Sequence, residues 1–242
     1  MAESCLMKWQ QSGRENMMPK STPLFGLIYV LSAVLFLIGV SFDMWLLRFI
    51  TKPIPVLLLM IWIGLYIDKR RYVMCILLGL GASLAGDVFL ELPGNYFLFG
   101  LVSFLIAHIL YIVAYLQDAK DLHLLRALPA GVYGVIFVSV LVSGGQLGPL
   151  LIPVVIYATV LCAMLWRAGS RYGAASVSTF SAHMAFWGAV FFVMSDSLLG
   201  LNRFYTQDIP FVRFGISSLY WLGQAGITFS VLSSLHPQQK SS

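Results

Sequence analysis

Residues 72–92 read YVMCILLGLGASLAGDVFLEL. The run is about as long as a helix needs to cross a bilayer, roughly 20 apolar residues. One residue breaks it. An aspartate near mid-membrane costs roughly 2.5 to 3.5 kcal/mol on insertion scales, and intramembrane ionisable groups are functional by default. Asp87 therefore raises both the question of fold and that of function.

The rest of the chain repeats the pattern. Of 242 residues, 59% are hydrophobic and 10% charged, whereas a soluble domain carries about 25% charged residues. Mean hydropathy is +0.86. Runs at 24–42, 54–68, 72–92, 96–116, 127–143, 149–167, 179–201 and 211–235 are the candidate spans. The expected fold is an all-α membrane protein, a bundle of about eight transmembrane helices. The second run is short, follows "TKPIP" and is expected to tilt or lie partly at the interface. Residues 1–23 and 236–242 read as cytosolic tails, the first disordered, and neither has the layout of a cleaved signal peptide.

The net charge of +5 does not form a nucleic-acid face, because the basic residues fall in short clusters between apolar runs. Eight spans put eleven Lys and Arg on one side and four on the other, so the positive-inside rule places both termini in the cytosol. In that count Arg167 and Arg171 serve as surface charges. Cys75 and Cys162 lie in apolar runs and read as small buried hydrophobes rather than a disulfide framework.

Runs three and seven end "AGDVFLEL" and "MSDSLLGL", and runs four and eight share "FGLVS" and "FGISS". A parallel four-plus-four repeat would produce this. Asp87 and Asp196 then lie at matched depth, roughly 7 Å inside the non-cytosolic boundary, and His108 enters from the same side, roughly 16 Å down. Tyr111 shares the His108 face, and Tyr220 and Gln224 share another at i, i+4. Near the same boundary come Lys52, Glu91, Asn202 and Arg203. Blander roles exist for each: Asp196 paired with Arg203, His108 as a packing residue, Tyr220 and Gln224 as helix–helix glue, Lys52 and Arg203 as interfacial anchors.

The inventory excludes several chemistries. There is no G-x-S-x-G elbow, no H-E-x-x-H and no phosphate-cradling glycine loop. With one histidine near the carboxylates, a catalytic metal is disfavoured, and neither metal nor cofactor is expected. A carboxylate pair in a low-dielectric site suits general acid–base work, one group donating a proton while the other stays ionised.

At "KPIP" (52–55), "GDVFL" (86–90), "AHILY" (107–111), "MLWR" (164–167), "SDSLLGLNRF" (195–204) and "YWLGQ" (220–224) the chain resembles the lysoplasmalogenases of the YhhN type, over about residues 24–235. Glu91 departs from that pattern, which has an apolar residue there. The resemblance implies hydrolysis of the vinyl ether bond of lysoplasmalogens to a fatty aldehyde and glycerophosphoethanolamine or glycerophosphocholine, in an endoplasmic-reticulum-type membrane. On this reading Asp87 and Asp196 share the acid, base and cation-stabilising roles, with His108 and Tyr111 orienting a carboxylate or the water. Tyr220 and Gln224 line the pocket, while Lys52, Asn202 and Arg203 meet the headgroup. The partners are the lysophospholipid and membrane lipid, with room for a homodimer.

The alternative is a small proton-coupled transporter using the same carboxylates. A carrier needs polar groups reaching both faces. Here they collect on one side, and the cytosolic halves of runs three, four and seven look apolar except for His183. A regulatory membrane partner without chemistry leaves the two aspartates unexplained.

Overall fold

A computed structural model describes residues 22–66, 70–207 and 209–232. The expected tails, 1–23 and 236–242, lie outside the described residues, apart from Thr22 and Pro23 at the start of the first helix. Among the described residues nine α-helices follow one another: α1 Thr22–Ser41, α2 Trp45–Thr51, α3 Ile54–Tyr66, α4 Arg71–Glu91, α5 Phe97–Asp118, α6 Ala127–Ser143, α7 Leu151–Ser170, α8 Thr179–Phe204 and α9 Val212–Phe229. Among the described residues there is no strand. Eight of these helices overlap the eight expected runs, and seven stretches among the described residues, α9 not included, are long and apolar enough to cross a membrane. The second span differs: α2 and α3 together make one apolar stretch, Trp45–Leu65, long enough to cross a membrane. It breaks at Lys52–Pro53, where proline supplies no N–H for the helical ladder.

Local chemistry sets the boundaries. Leu92 ends α4 in an extended conformation, φ −63° and ψ 137°, as the residue before Pro93 must, and Gly94 then turns the chain at φ +123°. Ser178 opens α8, its hydroxyl accepting the Ser181 N–H at 3.2 Å, which satisfies one of the unpaired donors of the first turn.

Packing is closest where glycine lets backbones approach. In the α4–α5 pair, a Cβ at Gly79 would lie 2.3 Å from the Tyr111 ring. In the α8–α9 pair, a Cβ at Gly188 would lie 2.6 Å from the Ile227 nitrogen and 2.9 Å from the Gly223 carbonyl oxygen. These are the two most extensive helix pairings, and α3 and α7 pack beside them. Tyr111, Tyr115, Phe192, Ile76, Leu80 and Met164 form the middle of the core. Of α6 only Ala130 and Leu141 are buried, so that helix lies at the rim, and Val135, Ile136 and Ile152 face outward. Exposed apolar surface of this kind is what a bilayer covers.

At the Asp118 end the structure corrects the expectation of an apolar interior. Arg171, counted above as a surface charge, is fully buried. It donates to Asp118 Oδ2 at 2.7 Å, to Ser181 Oγ at 2.7 Å and to the Ser181 carbonyl at 3.1 Å. Its guanidinium lies over the rings of Tyr72 and Tyr115, at 4.9 and 5.5 Å, and Tyr72 and Ser230 share a hydrogen bond of 2.7 Å. Arg167 is also buried, bonded to the carbonyls of Ala119 and Asp121. Neighbouring helices thus supply the counter-charge and acceptors that a buried cation requires. Cys75 and Cys162 are free thiols, partly exposed rather than buried.

Candidate active site

The turn period of α4 places Ser83, Asp87 and Glu91 on one face. Asp87 is 1% exposed. Its Oδ2 accepts a hydrogen bond of 2.7 Å from Tyr220 of α9. One turn along α9, Gln224 Oε1 accepts 2.8 Å from Tyr111 of α5, and the Tyr111 hydroxyl lies 3.4 Å from Ser83 Oγ. Asp87, Tyr111, Tyr220 and Gln224 therefore gather into one polar centre, a grouping not read from the sequence, where Tyr111 shared the His108 face. Tyr111, though, is bonded on the Asp87 side and is not a direct companion of His108.

Asp196 belongs to a second centre. Tyr157 of α7 donates to its Oδ2, and His108 Nε2 lies 3.8 Å from the same oxygen. The His108 ring stands edge-on to Phe192 at 4.7 Å and to Tyr157 at 5.3 Å. His108 is wholly buried, and neither ring nitrogen has a hydrogen-bond partner. Buried polar atoms are rarely left unpaired, so the imidazole retains unmet hydrogen-bonding capacity.

The two centres meet through rings. Phe104, Phe192 and Tyr220 pack edge to face, with centroids 5.4 to 6.1 Å apart. Asp87 and Asp196 share no hydrogen bond, and α4 and α8 do not pack on one another, whereas α9 packs on both. Arg203 does not pair with Asp196. Its guanidinium lies over the Phe97 ring at 5.3 Å.

Tyr157 is the functional candidate that the sequence concealed. A single tyrosine in "IPVVIYATVLC" resembles any membrane tyrosine, and only the packing of α7 on α5 and α8 aims it at Asp196. Lys52, expected to meet the headgroup or anchor at the interface, has a counter-ion of its own. Its Nζ is 3.1 Å from Glu91 Oε1, and Arg48 Nε is 3.6 Å from Glu91 Oε2. Arg48 also donates to Asp43 at 2.7 Å, a bond that holds the exposed Asp43 carboxyl below the ordinary carboxylate range. Glu91 is thus the shared anion of a half-buried network.

Two cavities adjoin these centres. A polar cradle of about 430 Å³ is lined by Arg48, Lys52, Glu91, Asn202, Arg203 and Arg213, among others. A narrow apolar cavity of about 40 Å³ is lined by Phe104, Phe137, Leu141, Leu161 and neighbours, with Asp196 and Tyr157 supplying its polar groups. Leu90, Phe97 and Leu199 line both. The smaller cavity has room for no more than a water or two, and a lipid chain would enter only as its walls part. Among the described residues no group of three or more His, Cys, Asp or Glu side chains is arranged to hold a metal ion.

Long apolar helices surrounding buried carboxylates, with a cationic cradle beside a small apolar cavity, define a multi-pass membrane protein with a polar interior. The chain belongs to the YhhN family, whose family model matches residues 47–231. It is 31% identical over 194 residues to the Homo sapiens protein named lysoplasmalogenase TMEM86B, covering 78% of this chain and 77% of that one. The Rattus norvegicus lysoplasmalogenase TMEM86B is 30% identical over 186 residues, 76% of this chain and 73% of its own. Homo sapiens lysoplasmalogenase TMEM86A is 28% identical over 167 residues, 67% of each. No solved structure gives a significant match.

Proposed function

We propose that this protein hydrolyses the vinyl ether bond of 1-alkenyl lysophospholipids, releasing a fatty aldehyde and a glycerophospho-headgroup. The chain is an ether hydrolase of the lysoplasmalogenase kind, as the names of its relatives support. The observation that carries the site assignment is the adjacency of the apolar cavity containing Asp196 to the cationic cradle. A single-chain amphiphile laid across Leu90, Phe97 and Leu199 has its phosphate among cations and its alkenyl carbons beside Asp196.

The chemistry follows from the bond. Asp196 gives its proton to the alkenyl carbon beta to oxygen, leaving an oxocarbenium ion. Water adds to the carbon bearing oxygen, losing a proton to a carboxylate, and the hemiacetal collapses to aldehyde and alcohol, so the proton lent is returned. Glycosidases set two carboxylates around a similar cation. Tyr157 holds Asp196 in orientation, the unpartnered imidazole of His108 receives the water, and Asp87, fixed by Tyr220, supplies negative charge from behind the ring cluster. The Lys and Arg imbalance supports cytosolic termini, and the endoplasmic-reticulum-type membrane rests on the family resemblance.

The test is aldehyde release from 1-alkenyl lysophospholipid by purified protein in detergent, with and without a chelator, beside Asp87→Asn and Asp196→Asn. Aldehyde from wild type, undiminished by chelator and lost in both folded variants, is expected. None from folded wild type overturns the reading. One observation favours the carrier instead: buried polar clusters occur at both ends of the bundle. Proton flux into proteoliposomes without aldehyde would select it.

A further inference from the structure

The polar groups of the cradle are not equally occupied. Lys52 and Arg48 already face Glu91. Arg203 rests on the Phe97 ring, and among the described residues neither Arg203 nor Arg213 contacts a carboxylate within ion-pair distance. Two cations are thus available to a phosphate. The cradle also holds an acceptor without a donor. Asn202 lines the cavity, and its Oδ1 is buried with no hydrogen-bond partner. An ionised phosphodiester has no proton to offer that oxygen, so a phosphate alone leaves it unsatisfied.

A primary ammonium has three donors, and a trimethylammonium has none. The position is also right for an amine. Asn202 lies six residues beyond Asp196 on α8, about 9 Å along the axis and roughly 120° around it. The nitrogen of a glycerophosphoethanolamine, about nine bonds from the vinyl ether oxygen, is far enough out to follow that turn past Leu199, where the two cavities meet. With Asp196 at the alkenyl carbons, Asn202 falls at the far end of the headgroup. Glu91 lines the same cavity and is the one carboxylate among its lining residues.

We infer that Asn202 and Glu91 are specificity-determining residues that accept the primary ammonium of a phosphoethanolamine headgroup, while Arg203 and Arg213 hold its phosphate, so that ethanolamine lysolipids are selected over choline ones. The inference rests on the hydrolase reading for the orientation of the lipid. Its discriminating element is the donor demand of Asn202 Oδ1, which three N-methyl groups cannot meet and which they also block by bulk.

The experiment is direct binding of non-cleavable 1-alkyl lysophosphoethanolamine and 1-alkyl lysophosphocholine to the purified full chain, followed by aldehyde release from the matching 1-alkenyl lipids. Wild type is expected to bind the ethanolamine lipid about 10-fold or more tightly, the worth of a charge-assisted hydrogen bond. Asn202→Leu and Glu91→Gln should each bring the ratio towards one. Asn202→Asp, which keeps the acceptor and adds charge, should retain or sharpen it. Equal binding by wild type, or a preference that survives both Asn202→Leu and Glu91→Gln, overturns the inference. Aldehyde from both alkenyl lipids with equal binding sinks the headgroup assignment alone. Ethanolamine-selective binding without aldehyde from either sinks the hydrolase reading and leaves the cradle assignment standing.

Discussion

Tyr220 donates a 2.7 Å hydrogen bond to Asp87, and that contact ties α9 to α4 across the centre of the bundle. Asp87 is 1% exposed, and Tyr220 is the hydrogen-bond partner found for it among the described side chains. Tyr220→Phe removes the donor and leaves the carboxylate unpartnered in an apolar setting. The expected result is a melting midpoint lowered by the equivalent of about 1–3 kcal/mol, with aldehyde release reduced at least tenfold. A Tyr220→Phe enzyme that melts and turns over like wild type would remove Asp87 from the mechanism.

Tyr157 and Asp196 form the other pair. Asp196→Asn retains the shape but cannot protonate carbon, and should lose about 10²–10⁴-fold in rate. Tyr157→Phe leaves the carboxyl in place but free to rotate. Its effect should fall on kcat, with KM little changed, because Tyr157 touches Asp196, the proposed acid, rather than the headgroup cradle. A rise in KM at constant kcat would instead make Tyr157 part of the lipid pocket.

Gly188 and Gly131 are a matched test of packing. A Cβ at Gly188 meets α9 backbone at 2.6 Å, whereas one at Gly131 meets nothing within 4 Å. Backbone cannot yield as a flexible side chain does, so Gly188→Ala should destabilise by roughly 1–3 kcal/mol or more. Gly131→Ala should be neutral or stabilising, since alanine is the better helix former. Thermal melts in one detergent compare them, and equal melts would contradict the α8–α9 pairing.

Gly134 and Cys162 test the position of the rim helix. A Cβ at Gly134 would stand 3.9 Å from Cys162 Cβ and 2.9 Å from its Sγ, and disulfides have Cβ–Cβ separations of about 3.5–4.5 Å. Gly134→Cys should therefore cross-link α6 to α7 under mild oxidation, with disappearance of both free thiols. The cross-link should be absent in the same variant carrying Cys162→Ser. Two thiols that stay free would place α6 elsewhere.

Arg171 tests the buried cluster at the opposite end. Arg171→Ala leaves Asp118 without its partner and empties the space between Tyr72 and Tyr115, and should cost about 3–5 kcal/mol. Arg171→Lys should not restore the loss, because an ammonium lacks the planar fork that reaches both Asp118 and Ser181. Restoration by lysine would show that charge alone matters there.

Much of this architecture was legible along the chain. The apolar runs, the α-helical class and the improbability of Asp87 and Asp196 in lipid all follow from local chemistry, because a bilayer forces each segment of some twenty residues to satisfy its own backbone. Turn chemistry is equally local, as at Leu92–Pro93–Gly94. The same locality groups Tyr220 with Gln224, one turn apart on α9.

Partnerships were not legible, since they depend on which helix faces reach one another. Nothing near Asp196 in the chain names Tyr157, and nothing near Glu91 names Arg48. Arg171 reads as a loop charge because its acceptors, Asp118 and Ser181, come from two other helices. The sequence by itself determined a membrane bundle and its costly polar residues, through burial costs that each residue bears alone. Tertiary structure alone decided that the two aspartates sit in separate centres with different donors, because side-chain hydrogen bonds are set by distances of a few ångströms between helices far apart in the chain.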